Sequence, residues 1–227
     1  MDNTFSFDNY IFDLYGTLID IHTDEHCDET WIKWLKVLDA RGIKHPPLAD
    51  FREEFFDKDR EYRLRPTPFD YPEIEILEVY DELFSSYKNP KIPEKELFEI
   101  SYRFREASMD YRRLFEGVPE FLKKLHDLGK KTFILSNAQR SYTLYEILDF
   151  GLDKMVDDYL ISSDFRCMKP DKAFFTALVD KHGLDRSRSV MLGDSYENDY
   201  MGAINSGING IWLNGENAAH LFYKERI

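Results

Sequence analysis

The stretch that decides the fold is "IFDLYGTLID", residues Ile11 to Asp20. Its first half reads as a buried strand over Tyr10 to Leu14, and Gly16 turns the chain just after it. Asp13 falls at the last step of that strand, where a lone carboxylate is costly to bury. An acid kept in such a place asks for a chemical reason. So does Tyr15, two residues further on.

Downstream of this strand the pattern turns helical. "HTDEHCDETWIKWLKVLDARG" can start with Thr23 as cap, Asp24 and Glu25 suiting the positive helix end, and Trp31, Trp34, Leu35 and Leu38 fall on one face. "LADFREEFFDKDREYRLR" reads as a second helix, and Pro66, Pro68 and Pro72 separate it from a third striped by Ile76, Val79, Leu83, Phe84 and Tyr87. "PEKELFEISYRFREASM" makes a fourth, so residues from about 22 to 110 read as helices alone. From Gly117 the pattern alternates: helix 118–128, strand "KTFILS", a helix through Leu144 to Leu148, strand "DYLIS", helix 171–182, strand "SVMLGD", helix 196–206 and strand "GIWLN". Strands separated by helices imply a parallel sheet with right-handed crossovers. The expectation is an α/β protein with a doubly wound, Rossmann-like parallel sheet built from residues 1–20 and 111–227, and an all-helical insert over 21–110.

In open α/β sheets the site lies at the carboxyl ends of the strands. Asp13 ends the first strand, and Ser136 and Asn137 end the second. Lys169 and Pro170 precede a helix, and Gly193 and Asp194 are followed by Ser195, Asn198 and Asp199. Singly, Ser136 and Asn137 read as turn residues, Asp171 or Ser195 as helix caps, and Lys169 as a solvated surface lysine. Together they put two carboxylates, a hydroxyl and an ammonium on one rim.

These motifs, "DLYGT", "LSN", "KP" and "GDSYEND", resemble in order those of the haloacid dehalogenase-like superfamily of hydrolases, and the helical insert resembles that family's cap. The resemblance implies that Asp13 is a nucleophile forming a covalent aspartyl intermediate. Ser136 would bond a substrate oxygen, with Asn137 positioning groups beside it. Lys169 would offset the charge of nucleophile and substrate. Magnesium would sit on Asp13, Asp194 and the backbone carbonyl of Tyr15, with Asp199 supporting its water shell or holding Lys169. Magnesium takes oxygen ligands and keeps several waters, and without a metal the three acids would repel one another. Most phosphatases of this family carry an aspartate where Tyr15 stands, to protonate the leaving alcohol and then activate water. The D-x-Y-G-T pattern occurs in 2-haloacid dehalogenases, which need no metal. The acidic pair Asp194 and Asp199 favours a magnesium-dependent phosphatase; a metal-independent dehalogenase and a catalytically weak binding member are the alternatives. Tyr15 either shapes the pocket or fills space under the cap. A phosphatase built this way is expected to prefer good leaving groups or to take an acid from the cap, and to dephosphorylate slowly.

Composition bounds the rest. The 227 residues, 43% apolar and 15% aromatic, suit one large domain or a core with an insert. A net charge of -13 argues against nucleic acid, so a small anionic, phosphorylated substrate would need local cations. The arginines of the insert that could supply them are Arg60, Arg63, Arg65, Arg103, Arg105, Arg112 and Arg113, each with the plainer reading of a solvated face. His22 could serve as the missing acid, though a linker histidine is the simpler reading. Cys27 and Cys167 read as reduced thiols. No basic residue precedes the first apolar patch and no apolar run approaches the roughly 20 residues of a membrane helix, so the expectation is a soluble cytoplasmic protein. Oligomeric state is not legible.

Overall fold

In the computed structural model, which describes residues 5–220, every residue of β1 (Asn9–Phe12) is buried. A strand covered on both faces belongs inside a parallel sheet. β1 pairs in parallel with β4 (Lys131–Ser136) on one side and β6 (Ser189–Gly193) on the other. β5 (Asp158–Ile161) and β7 (Asn209–Trp212) lie outside them, giving the order β5-β4-β1-β6-β7.

Side chains alternate between the faces, as the two-residue strand period requires. Tyr10, Phe12, Ile134, Val190 and Leu192 pack with Phe121 and Leu125 of α5 (Val118–Asp127) and Ile147 of α6 (Arg140–Asp149). Ile11, Phe133, Leu135 and Met191 face the other way, onto Phe174, Phe175 and Leu178 of α8 (Lys172–His182). The fold is therefore the expected doubly wound α/β sheet. A one-turn helix, α7 (Ser162–Phe165), follows β5 where only a connection was expected. The expected helix 196–206 begins as a π-helical turn, Tyr196–Met201, and ends as α9 (Gly202–Asn205).

Between β1 and α5 the chain forms α1 (Asp28–Ala40), α2 (Leu48–Arg63), α3 (Ile76–Ser86) and α4 (Glu94–Ser108). They enclose a second apolar cluster that is rich in aromatic rings, with Trp31, Trp34, Phe51, Phe55, Tyr80, Phe84 and Phe104 all buried. Trp34 stacks on Phe51 at 5.5 Å and donates its indole N–H to the Ile100 carbonyl at 3.0 Å. Tyr142 of α6 joins this cluster, and its hydroxyl lies 3.0 Å from that of Tyr80.

The reading of 22–110 as helices alone needs correction. β2 (Ile19–Thr23) and β3 (Met109–Leu114) form a two-stranded antiparallel ribbon at the two crossings between sheet and helices. Thr23 pairs with Met109 rather than capping a helix. The helix starts at Asp28, and the Asp24 carboxylate accepts the N–H groups of His26 and Cys27 just before it. β-branched Ile21 and Thr23 favour strand pairing over a helical first turn. Cys27 and Cys167 are unpaired thiols, as expected. Among the described residues no helix is long and apolar enough to cross a membrane.

Because Trp34 fills the centre of the helical cluster, Trp34→Ala is expected to lower stability by about 3–5 kcal/mol, measurable as a fall in the urea midpoint.

Candidate active site

Parallel strands end at one edge, and that geometry gathers the polar residues. Asp13 follows β1 directly, Asn137 follows β4 and Asp194 follows β6. Lys169 reaches the same place from the connection before α8. Its ammonium lies 2.6 Å from Asp13 Oδ1 and 2.7 Å from Asp199 Oδ1, with all three side chains almost wholly out of water. Asp199 Oδ2 accepts the backbone N–H of Ser195 at 3.0 Å. Carboxylate oxygens of Asp13, Asp194 and Asp199 come within 4.8 Å of one another. The expectation that only a metal could hold these acids together is thus corrected: Lys169 binds two of them. Asp194 is exposed and makes no ion pair with any described residue, although the Lys169 charge nearby draws its carboxyl down.

Glycine makes this crowding possible. A Cβ on Gly16, whose φ is +78°, would lie 2.4 Å from Asp194 Oδ2, and one on Gly193 would lie 2.1 Å from Asp199 Oδ2. Burial pushes the Asp13 carboxyl up to about 7; Lys169 opposes the shift and the Asp199 and Asp194 charges add to it. Burial works against the charge on Lys169, yet the Asp13 and Asp199 carboxylates hold it above its ordinary value. Burial, then the Asp199 charge, also raises Asp194.

Both ends of the Asn137 carboxamide bond one partner: the oxygen accepts the Lys169 N–H at 2.7 Å and the nitrogen donates to the Lys169 carbonyl at 2.9 Å. It fixes the lysine's backbone. The hydroxyls of Ser136 and Thr17 are buried with no hydrogen-bond partner among the described residues. Such a group costs about 1–3 kcal/mol unless something bonds it, so the Ser136 hydroxyl suits a bound ligand oxygen. Asp171 and Ser195 are helix caps, accepting the N–H groups of Ala173 and Asn198.

Tyr15 is no idle filler. Its hydroxyl donates to Glu146 Oε2 at 2.5 Å and lies 2.9 Å from Thr143 Oγ1. Glu146 Oε1 accepts from Arg105 Nε at 2.9 Å, and the Arg105 guanidinium lies 5.2 Å from the Tyr15 ring centre. Burial and the Glu146 charge drive the Tyr15 phenol far above its ordinary value. Sequence reasoning missed Glu146. Its signal was an acid on the face of α6 shared by Thr143 and Ile147.

Beside Tyr15 and Asn137 a cavity of about 290 Å³ opens between α6 and the helical layer; Glu25, Arg63, Glu73 and Arg105 also line it. Arg63 and Arg105 are the arginines of the seven that face this space. Arg60, Arg65, Arg103, Arg112 and Arg113 pair with nearby acids, namely Asp57, Glu82, Glu106, Asp149 and Asp20. His22, the exposed residue of β2, is bonded to Asp110 at 2.7 Å and is not among the cavity's lining residues.

A family model described as haloacid dehalogenase-like hydrolase matches residues 7–207. The pyrimidine 5'-nucleotidase YjjG of Escherichia coli is 34% identical over 85 residues, covering 37% of this chain and 38% of that protein. The pyrophosphatase PpaX of Halalkalibacterium halodurans is 28% identical over 112 residues, 48% of this chain and 52% of that protein. The chain thus spans about half the length, or less, of these curated relatives. A solved 2-haloacid dehalogenase from Pseudomonas syringae superposes with a TM-score of 0.64 at 18% identity, over 92% of this chain and 86% of that one. At that identity the likeness shows the fold alone.

Arg105→Ala leaves Glu146 charged and unpaired in the interior, and is expected to cost about 3–5 kcal/mol. The double variant Arg105→Leu with Glu146→Leu should recover much of that loss, with both read by chemical denaturation.

Proposed function

Since the chain belongs to the haloacid dehalogenase-like hydrolases, we propose that it is a magnesium-dependent phosphatase acting on a small phosphorylated metabolite through an aspartyl-phosphate on Asp13. The observation that carries this reading is the set of three carboxylates within 4.8 Å, of which Asp194 makes no ion pair among the described residues. Hard oxygen donors in this number suit magnesium, which needs only one or two carboxylates beside waters and substrate oxygens. Asp13, Asp194 and the backbone oxygen of Tyr15 would hold the ion, with Asp199 at its border securing Lys169. Bound there, magnesium would neutralise phosphate charge as it is transferred.

The remaining work belongs to the chain. The Asp13 carboxylate attacks phosphorus, and Lys169 keeps that oxygen ionised and oriented although burial opposes its charge. The Ser136 hydroxyl takes a phosphoryl oxygen, which supplies the partner it lacks. Asn137 keeps Lys169 in register. Residues 21–110 act as a cap over the core of 1–20 and 111–227, and the cavity beside Tyr15 holds the rest of the substrate. Arg63 and Arg105 present guanidinium groups there, though Arg63 is paired with Asp59 and Glu73 and Arg105 with Glu146. The two relatives described above are named as enzymes of phosphate compounds, which agrees with this substrate class.

Tyr15 favours a second reading, a 2-haloacid dehalogenase, in which a halide leaves without a proton. The acids beside Asp13 weigh against it, since an anionic haloacid would meet them uncompensated by more than one lysine.

With p-nitrophenyl phosphate, activity is expected to need magnesium and to vanish in excess chelator, and Asp13→Asn should abolish it. Halide release from 2-chloropropionate that resists chelator, with no phosphate release, would replace this reading by the second.

A further inference from the structure

Cleaving an alkyl phosphate expels an alkoxide unless a proton reaches the leaving oxygen, and general acid help there is typically worth ~10²–10⁴-fold. Near Asp13, the phosphatase reading gives Asp194 to the ion and Ser136 to a phosphoryl oxygen. Lys169 holds two carboxylates, and both oxygens of Asp199 accept hydrogen bonds. The Tyr15 hydroxyl donates its hydrogen bond to Glu146. In the adjoining cavity Glu73 accepts from Gln139, Ile74, Ser162 and Arg63.

Glu25 differs from all of these. It is partly buried, it lines the cavity with Tyr15 and Asn137, and its carboxyl makes neither a hydrogen bond nor an ion pair with any described residue. Its backbone is nonetheless fixed: its carbonyl accepts the Trp31 indole N–H at 2.9 Å, and the preceding Asp24 N–H bonds Ser108 at 2.8 Å. This carboxyl, on an anchored segment, lines the same space as Asn137 and Tyr15, the residues that follow the strand ends beside Asp13.

We propose that Glu25 is the proton donor to the leaving oxygen and the later base for water, doing the work that a side chain at position 15 does not do here. This rests on the phosphatase reading. As an Asp13 oxygen bonds phosphorus, the ester P–O bond breaks and the Glu25 carboxyl proton passes to the departing oxygen, giving the free alcohol. The Glu25 carboxylate then takes a proton from water as its oxygen bonds phosphorus. The bond from phosphorus to Asp13 breaks, phosphate leaves, and Glu25 is protonated again. Its surroundings fit this cycle. Burial raises its carboxyl above the ordinary value, while Arg105 of α4, neighbouring His26 and Arg63 of α2 draw it down and Asp59 of α2 pushes it up. Tyr142 of α6 and Tyr80 of α3 also feel its charge. A protonated fraction therefore persists to higher pH than for a free glutamate.

The test compares the full chain with Glu25→Gln and Glu25→Asp, in magnesium, on ethyl phosphate and p-nitrophenyl phosphate, with thermal unfolding to confirm the fold. Glu25→Gln is expected to lower kcat for ethyl phosphate ~10²–10⁴-fold with little change in KM, and Glu25→Asp to recover part of it. With p-nitrophenyl phosphate, whose leaving group needs no proton, the first nitrophenolate should form at nearly the parent rate as a burst, and turnover should then stall. Equal losses in the first-turnover rate on both substrates, no loss on either, or a change in KM alone would overturn the assignment while the parent enzyme still hydrolyses both. A parent enzyme that releases no phosphate from either substrate would instead remove the phosphatase reading and the Glu25 role with it.

Discussion

The ammonium of Lys169 lies between Asp13 and Asp199, 2.6 and 2.7 Å from their oxygens, where almost no water reaches it. Taking such charges out of water costs several kcal/mol per ion, and their attraction repays this only with close geometry and further hydrogen bonds. The neighbouring chain supplies both. Asn137 clamps the lysine's backbone, the Ser195 N–H satisfies Asp199, and Gly193 lets that carboxylate lie against the strand end. Without this ion group the edge of the sheet would hold repelling acids, Asp13 directly after β1 among them.

A second ion group joins the parts of the chain that sequence keeps far apart. Glu146 on α6 is fully buried, and it takes Arg105 from α4 on one oxygen and Tyr15 from the loop after β1 on the other. The tyrosine is thereby held by the helical layer as well as by the sheet. It fixes the position of the loop that follows Asp13 and spends its own proton in doing so. The aromatic cluster behind Arg105, with Tyr142 of α6 among its members, gives that helical layer a core of its own.

The strong overall negative charge says little about this region. Most arginines of the helical layer pair with neighbouring acids at the surface, where such pairs contribute little to stability. Arg63 and Arg105 turn inward to the cavity, so its field is set by two cations and two acids rather than by the total.

The order of strands and helices, the two-sided burial of β1, the strand ends carrying acid, hydroxyl and acid, and the lysine before α8 were legible from residue pattern, because a parallel sheet forces its strand ends onto one rim. Local pattern could not reveal the β2–β3 ribbon: its strands are separated by four helices, and each pairs only because the other is present. Nor could it select Arg63 and Arg105 from seven arginines, or show that Tyr15, Glu146 and Arg105 meet. Those outcomes depend on which faces of α4 and α6 come together, and sequence periodicity describes one helix at a time. The sequence by itself determined which chemical groups reach the sheet's edge. Tertiary packing alone decided their partners, and it leaves the Glu25 carboxyl without a hydrogen bond among the described residues, since burial and pairing are properties of distance in space.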